Sequence, residues 1–296
     1  MIDLWLILLV NGVVFGAIYG INAIGIGIVY NTTGIINFAH GEFAMLGGML
    51  AYALQAQGLP LPVAILGAVL GAMAVGVLVE RIAIRPLWQR GAKGWTFVFM
   101  LFAVSIIIAN VTMNSIGPDP YTLDSFGAIP STEFFGVRLT SQALWVLICA
   151  MAMMLALHGF FNQTTLGKAM KATAVNPRAA GWMGIPVGTM MTLSFVLAAG
   201  LAAIGGAVVA PLIGTAFDIG LPLTLKGFAA AIIGGLGNIR GAMIGGIILG
   251  IVEAICTAFV SSTYSDVTTY SVMIAILVLW PSGLFRPLVE LRREEV

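Results

Sequence analysis

The sequence has 296 residues, of which 60% are hydrophobic and only 8% are charged. Soluble domains carry about 25% charged residues, so this composition excludes a soluble globular protein and predicts one that crosses the membrane several times. The formal net charge of +1 argues against nucleic acid as a partner, because domains that bind nucleic acid present a basic patch.

Apolar segments long enough to cross a bilayer as helices recur along the chain. Segment 37–56 begins with polar residues and is a candidate re-entrant helix, while 223–239 ends in glycines that a helix interior tolerates poorly. The predicted fold is an all-α polytopic membrane protein with eight or nine transmembrane or re-entrant helices, including broken ones, in one transmembrane domain (1–296). The predicted spans are 4–29, 37–56, 59–79, 96–116, 142–162, 189–213, 223–239, 241–260 and 268–284.

Glycines recur every four residues in several of these spans. This spacing lets the backbones of transmembrane helices approach closely. Packing within the chain is the favoured interpretation, and contact between subunits is the alternative. The glycines are Gly12, Gly16 and Gly20, then Gly67 and Gly71, then Gly241 and Gly245.

The segment NTTGIINFAHGEFAMLGG, residues 31–48, places three polar side chains in an apolar part of the chain. A charged residue at the bilayer centre costs roughly 2.5–3.5 kcal/mol on insertion scales, so such a cluster is a candidate functional site. Asn37 is predicted to cap a helix that begins at Phe38, with Glu42 near its positive end. Either these groups satisfy backbone donors at a broken helix, or the break lines the translocation pathway. The candidate pathway or gate residues are Asn37, His40, Gly41, Glu42, Gly234, Gly235 and Gly237.

Basic residues are concentrated in three connections, which the positive-inside rule places in the cytoplasm. These connections are 80–95, 163–188 and the C-terminal tail, so the C-terminus is predicted to be cytoplasmic. The connection 117–141 is acidic and rich in proline, and it is predicted to be extracytoplasmic. The basic residues are Arg81, Arg85, Arg90, Lys93, Lys168, Lys171, Arg178, Arg286, Arg292 and Arg293.

Residues 164–186, TTLGKAMKATAVNPRAAGWMGIP, predict two short helices that meet at a sharp corner. Thr165 is the candidate N-cap of the first helix, and Asn176 with Pro177 begins the second. The small alanine side chains suit insertion of this loop into a cleft of a partner protein. An amphipathic connector on the lipid surface is the alternative. The candidate docking residues are Thr165, Gly167, Ala169, Ala172, Asn176, Ala179, Ala180 and Gly184.

Lys226 and Glu253 are a candidate buried ion pair in the last third of the chain, unless Lys226 snorkels to an interface. No catalytic or metal site is indicated, because the two histidines and two cysteines lie far apart in sequence. A P-loop requires a glycine five positions before a Gly-Lys pair. Asn162 stands at that position before Gly167-Lys168, so this chain is not expected to bind ATP through a P-loop. The sequence therefore predicts a transport protein without a cofactor of its own.

The pattern T-T-x-G-x-A-x-x-A-x-x-x-N-x-x-A-A at residues 164–180 resembles the coupling loop of branched-chain amino acid ABC-transporter permeases of the LivH type. Segments 34–48, 80–87, 226–253 and 281–287 also resemble that family. The resemblance implies an inner-membrane permease in a heterodimer with a second permease subunit. Its further partners would be two ATPase subunits, which bind ATP, a periplasmic binding protein and membrane lipid.

The implied cargo is branched-chain or related small apolar amino acids, because the coupling-loop pattern resembles that family. Related permeases for urea or amides are the first alternative. A secondary transporter that uses an ion gradient and broken helices is the second alternative, from another class of protein.

Overall fold

The computed structural model of the chain describes residues 2–127, 131–134, 137–259, 264–279 and 283–285. Six helices among these residues are long and apolar enough to cross a membrane. The predicted all-α polytopic fold is therefore confirmed. The first half of the chain forms α1 (Ile2–Thr33), α2 (His40–Ala56), α3 (Leu61–Leu78), α4 (Arg85–Gln89), α5 (Gly94–Ser115) and α6 (Ser141–Gln163).

The second half of the chain begins with two short helices and then returns to long apolar ones. A small antiparallel pair, β1 (Thr132–Phe134) and β2 (Val137–Leu139), lies in the connection that precedes α6. The remaining helices are α7 (Thr165–Val175), α8 (Pro177–Trp182), α9 (Val187–Ile213), α10 (Gly220–Gly234), α11 (Ile239–Phe259) and α12 (Ser265–Leu279).

The sequence predicted that the third span ends at residue 79. The helix that begins with α3 instead continues through a π-helical segment, Val79–Ile84, into α4. Arg85 Nε lies 2.9 Å from Glu80 Oε1 in this segment. Their separation of five residues suits a π-helix, in which backbone hydrogen bonds also span five residues. Because the pair offsets both charges, the helix extends through much of the predicted loop 80–95.

Glycines bring α1 and α11 into backbone contact. A Cβ atom at Gly12 or Gly16 would lie 2.6 Å from a Cα atom of α11, a distance that no side chain tolerates. The spacing of four residues is the same on both antiparallel helices, so the predicted packing within the chain is confirmed. The facing pairs are Gly12 with Ile251, Gly16 with Ile247, and Gly20 with Met243.

Two helices begin inside the protein. α2 begins at His40, two residues later than predicted, because the Asn37 side chain accepts a hydrogen bond from Ala39 N at 3.0 Å and forms a turn. α10 begins at Gly220, which is buried beside α2. The predicted broken helices are therefore present, and their N-termini meet in the core.

The glycine-rich segment after α10 ends that helix earlier than predicted. α10 stops at Gly234, since Gly235 and Gly237 have φ angles of +91° and +84°. Such left-handed conformations favour glycine and are incompatible with a continuous right-handed helix. Residues 235–238 therefore form a turn between α10 and α11, where the sequence predicted a span through 239.

The bundle has two ends, and the end that carries α7 and α8 is called the coupling side here. Asn31 Nδ2 donates to the Gly237 carbonyl at 2.7 Å there, and Arg85 donates to the Gly188 carbonyl at 3.1 Å. The connections 80–95 and 163–188 thus share one side, as their charge predicted. At the other end, the connection after α5 pairs with the end of α9 through Tyr121 and Thr215. The C-terminal tail, 286–296, lies outside the described residues.

Candidate functional site

Glu42 is buried where α2, α5 and α10 meet. Its Oε1 accepts a hydrogen bond from Ser105 Oγ at 2.7 Å, and its carboxylate lies against Gly220, where a Cβ atom would collide with it. The N-terminus of a helix carries a partial positive charge. Glu42 lies in the first turn of α2 and beside the first residue of α10, so the positive ends of both helices are close to its carboxyl group.

His40 and Asn37 complete this buried cluster. The His40 imidazole packs against Gly25 of α1 and meets the Phe43 ring edge-on, with ring centroids 6.3 Å apart. Neither ring nitrogen of His40 makes a hydrogen bond with a described residue, and the same is true of Asn37 Nδ2. The cluster closes the junction of the two broken helices and does not line either of the cavities described next.

A cavity of about 630 Å³ lies between α1, α10 and α11, towards the end of α1 that is remote from the coupling side. Its walls are largely apolar, and α1 lines it from Leu8 to Tyr19. Lys226 Nζ lies 2.6 Å from Glu253 Oε1, and both side chains are largely buried. The ion pair predicted from the sequence is therefore present, and it forms part of the wall of this outer cavity.

A second cavity, of about 660 Å³, lies on the coupling side. It separates α7 and α8 from the end of α1 and from the turn 235–238, and its lining includes Asn31, Ala172, Asn176, Ala179 and Gly237. Small side chains on α7 and α8 leave this space open. Three of the alanines predicted to dock, Ala172, Ala179 and Ala180, line this cavity, whereas Ala169 packs against the hydrophobic core.

The two coupling-side helices are held by local caps. Thr164, and not Thr165 as predicted, caps α7 by accepting a hydrogen bond from Gly167 N at 3.0 Å. Asn176 Oδ1 accepts from the amides of Arg178 and Ala179, both at 3.0 Å, so its predicted role as the cap of α8 is confirmed. α8 ends at Trp182, and Gly184, with φ of +81°, lies just beyond it.

Gly167 fixes α7 against the end of α6. A Cβ atom at Gly167 would lie 2.7 Å from Phe161 Cα and would also collide with the Phe160 carbonyl. The two backbones are therefore in direct contact, and a displacement of α7 must displace the end of α6.

A polar network that was not predicted from the sequence joins α3 and α4 to α9. Arg85 Nη2 donates to Thr192 Oγ1 at 2.7 Å, and Thr192 Oγ1 donates to Glu80 Oε2 at 3.0 Å. Glu80 is fully buried. The available signal was the charged Glu80 at the end of an apolar span, where a buried carboxylate requires a partner.

The predicted gate residues form two groups and not one. Asn37, His40, Gly41 and Glu42 lie near the start of α10, where Gly41 N donates to Thr224 Oγ1 at 2.8 Å. Gly234, Gly235 and Gly237 lie at its other end, about 20 Å along the helix axis at 1.5 Å per residue. The second group borders the coupling-side cavity through Gly237 and Asn31.

The comparisons with known proteins agree with this architecture. A family model described as branched-chain amino acid transport system / permease component matches residues 8–277. The high-affinity branched-chain amino acid transport system permease protein LivH of Salmonella typhimurium is 34% identical over 295 residues, covering 95% of both chains. The corresponding protein BraD of Pseudomonas aeruginosa is 31% identical over 297 residues, covering 95% of this chain and 96% of BraD.

A third relative is less similar but matches over nearly the same length. The probable branched-chain amino acid transport permease protein LivH of Methanocaldococcus jannaschii is 28% identical over 297 residues, covering 94% of this chain and 91% of the relative. The chain therefore belongs to the family of branched-chain amino acid transport system permease components.

Proposed function

We propose that this chain is one permease subunit of an inner-membrane ABC importer for branched-chain or related small apolar amino acids. Family membership and the names of the relatives support the cargo. ATP is bound and hydrolysed on two separate ATPase subunits. A second, similar permease chain completes the pore, and a periplasmic binding protein delivers the substrate.

The observation that carries this proposal is the surface of α7 and α8. Trp182 is 87% exposed and Met183 is 83% exposed at the end of α8, beside the exposed basic residues of a side that the positive-inside rule places in the cytoplasm. A patch of exposed large apolar side chains marks a surface that contacts either a protein or a membrane. An ATPase subunit that covers both residues is the partner proposed for this surface.

The contacts of the loop provide a route for motion from the ATPase to the membrane. Gly167 presses on the backbone of α6. Arg85 ties the start of α9 to the long α3–α4 helix through Gly188 and Thr192. Rigid-body movement of α7 and α8 would therefore displace α6 by direct contact and α9 through the short connection after α8. The α3–α4 helix would move with α9, because Arg85 is hydrogen-bonded to it.

A second candidate function, an ion-coupled secondary transporter, is favoured by one observation only. Glu42 lies between the N-termini of two broken helices, and secondary transporters form their substrate and coupling-ion sites from broken helices. The cluster is fully buried in this chain, so an ion pathway to it would require that α2 and α10 separate. Within the proposed function, urea or amides are the alternative cargo.

The deciding experiment purifies this chain with the proteins that it retains and reconstitutes the complex in liposomes with the binding protein. Uptake of leucine, isoleucine and valine should require ATP on the side of the liposome membrane that the ATPase subunits face. Uptake should persist when ionophores collapse all ion gradients. Uptake that continues without ATP but stops with the ionophores would reject the importer and favour the secondary transporter. Uptake of urea or an amide in place of the amino acids would reassign the cargo.

A further inference from the structure

The outer cavity has the chemistry of a binding site for an α-amino acid zwitterion. Its volume of about 630 Å³ lies within the range of roughly 300–1,000 Å³ that small-molecule sites occupy. Apolar side chains such as Phe15, Ile18 and Leu223 form most of the wall. Lys226 and Glu253 contribute one positive and one negative charge to the same wall.

The two charges are placed side by side, as a zwitterion requires. Lys226 Nζ is 2.6 Å from Glu253 Oε1 and 5.6 Å from the centroid of the Tyr19 ring. A carboxylate that binds Lys226 and an ammonium group that binds Glu253 would replace one buried ion pair by two. Charge stays balanced at every stage, so the large cost of an unpaired buried charge is avoided.

The position of the cavity also suits a substrate that arrives from the side opposite α7 and α8. It follows α1 from Leu8 to Tyr19, about 16 Å at 1.5 Å per residue, and the exposed residues Asp218 and Thr257 border it. The coupling-side cavity begins at Ile28 of the same helix. The outer cavity therefore lies in the half of the protein away from the coupling side.

We propose that Lys226 and Glu253 form an intramembrane binding site for the α-carboxylate and α-ammonium groups of the transported amino acid, with the apolar wall of the outer cavity around its side chain. The inference rests on the proposed function for the identity of the cargo. It assigns to this permease subunit a recognition of the zwitterion itself, separate from the selection made by the binding protein.

The test measures occupancy of the cavity directly. In the purified complex, in lipid nanodiscs and without the binding protein, Cys149 and Cys256 are replaced by alanine and Ala254, which lines the cavity, by cysteine. Leucine should slow the reaction of Ala254→Cys with a membrane-impermeant maleimide. N-acetyl-leucine, which lacks the ammonium group, and leucinamide, which lacks the carboxylate, should protect less. Asp119→Cys, exposed on the same side and outside the cavity lining, is the matched control and should react at the same rate throughout.

Variants of the pair separate recognition from structural support. Lys226→Met and Glu253→Gln should abolish protection by leucine and raise the KM for transport roughly 10- to 100-fold, the range for loss of one hydrogen bond to a charged group. The maximal rate per assembled complex should change less than the KM. The exchange variant Lys226→Glu/Glu253→Lys keeps both charges and should recover part of the protection, since a zwitterion can bind in the opposite orientation.

The outcomes distinguish this site from the proposed function. Thr257→Cys, at a second residue of the cavity lining, is tested in the same way as Ala254→Cys. If the complex imports leucine but no amino acid slows the reaction of either cysteine, the site is rejected and the importer stands. Complete resistance of both cysteines to the reagent, with or without substrate, also rejects the site, since a partner subunit then fills the cavity. If leucine is not imported but other zwitterionic amino acids protect, the site stands and the proposed cargo fails.

Discussion

The carboxylate of Glu42 lies directly against Gly220, the first residue of α10, and holds the starts of two broken helices together. Ser105 donates a hydrogen bond to the same carboxylate from α5. A side chain larger than hydrogen at position 220 would occupy the space of the carboxylate. The junction therefore depends on the absence of a Cβ atom at Gly220 and on the carboxyl group of Glu42.

Glu42→Gln should impair transport more than assembly. The glutamine amide fills the same space and keeps an oxygen for Ser105, but its NH₂ group would lie near the N-termini of two helices, where the unpaired backbone N–H groups favour a hydrogen-bond acceptor. His40→Ala should act in the same direction, because it removes the packing against Gly25. The measurement compares uptake in proteoliposomes with the yield of assembled complex. Wild-type uptake by both variants would show that the cluster has a packing role only. Loss of assembled complex would favour the interpretation in which these side chains stabilise the broken helix.

Gly220→Ala should destabilise the junction from the other helix. The added Cβ atom would force Glu42 away from the start of α10, and overpacking a core typically costs about 1–3 kcal/mol. The expected result is a lower temperature of half-unfolding, measured by size exclusion after heating. Gly94→Ala, where no atom lies within 4 Å of the added Cβ, is the matched control. Equal stability of the two variants would contradict the predicted contact.

Gly16→Val should disrupt the packing of α1 on α11. The new side chain would meet the backbone of Ile247, where a Cβ atom already lies 2.6 Å from Cα. Backbone atoms cannot move aside as a side-chain end can, so we expect a loss of folded protein. Gly159→Val in α6, with open space around its Cβ position, should be tolerated. Recovery of monodisperse protein after extraction from the membrane measures both variants, and equal recovery would reject the contact.

Gly167→Ala should uncouple the ATPase from transport. The methyl group would force the start of α7 away from the backbone of Phe160 and Phe161, and the changed angle between α6 and α7 would displace the surface that contacts the ATPase subunit. Gly181→Ala, in α8 and without atoms within 4 Å of the added Cβ, serves as the control. The ratio of substrate transported to ATP hydrolysed in reconstituted complexes should fall for Gly167→Ala alone.

Ala172→Trp tests the docking of the same loop. Ala172 is exposed and lines the coupling-side cavity, so a tryptophan there should leave the membrane fold intact. It should overfill the cleft of the proposed partner and release the ATPase subunits or separate hydrolysis from transport. Co-purification of the ATPase chains gives the first readout. Normal binding and normal coupling would instead indicate a loop that lies on the lipid surface.

Arg85→Met should destabilise the protein more than the double variant Glu80→Gln/Arg85→Met. The single change leaves the fully buried Glu80 carboxylate with only Thr192 as a described hydrogen-bond partner. Removing one member of a buried ion pair typically costs about 3–5 kcal/mol, and the partial exposure of Arg85 reduces this value. Replacing both members removes the unpaired charge. Thermal unfolding of the variants in detergent gives the comparison, and a double variant less stable than Arg85→Met would contradict it.

The local sequence was sufficient for the membrane class and for the coupling-side loop. Apolar composition determines which segments leave water, and it needs no knowledge of their neighbours. The corner at Asn176 and Pro177 was predictable because Asn176 caps the amides that lie two and three residues ahead of it in the chain. The cap at Thr164 was missed by one residue, since Thr164 and Thr165 offer the same hydroxyl group and only the backbone conformation selects one of them.

Only the tertiary structure decided which distant residues share a site. Gly41 and Thr224 are hydrogen-bonded although they are 183 residues apart, and Asn31 reaches Gly237 across 206 residues. Such contacts depend on the path of the whole chain, because a polar side chain in an apolar helix can find its partner on any neighbouring helix. For the same reason the sequence grouped Glu42 with Gly237 in one gate, whereas the length of α10 holds them at opposite ends of one helix.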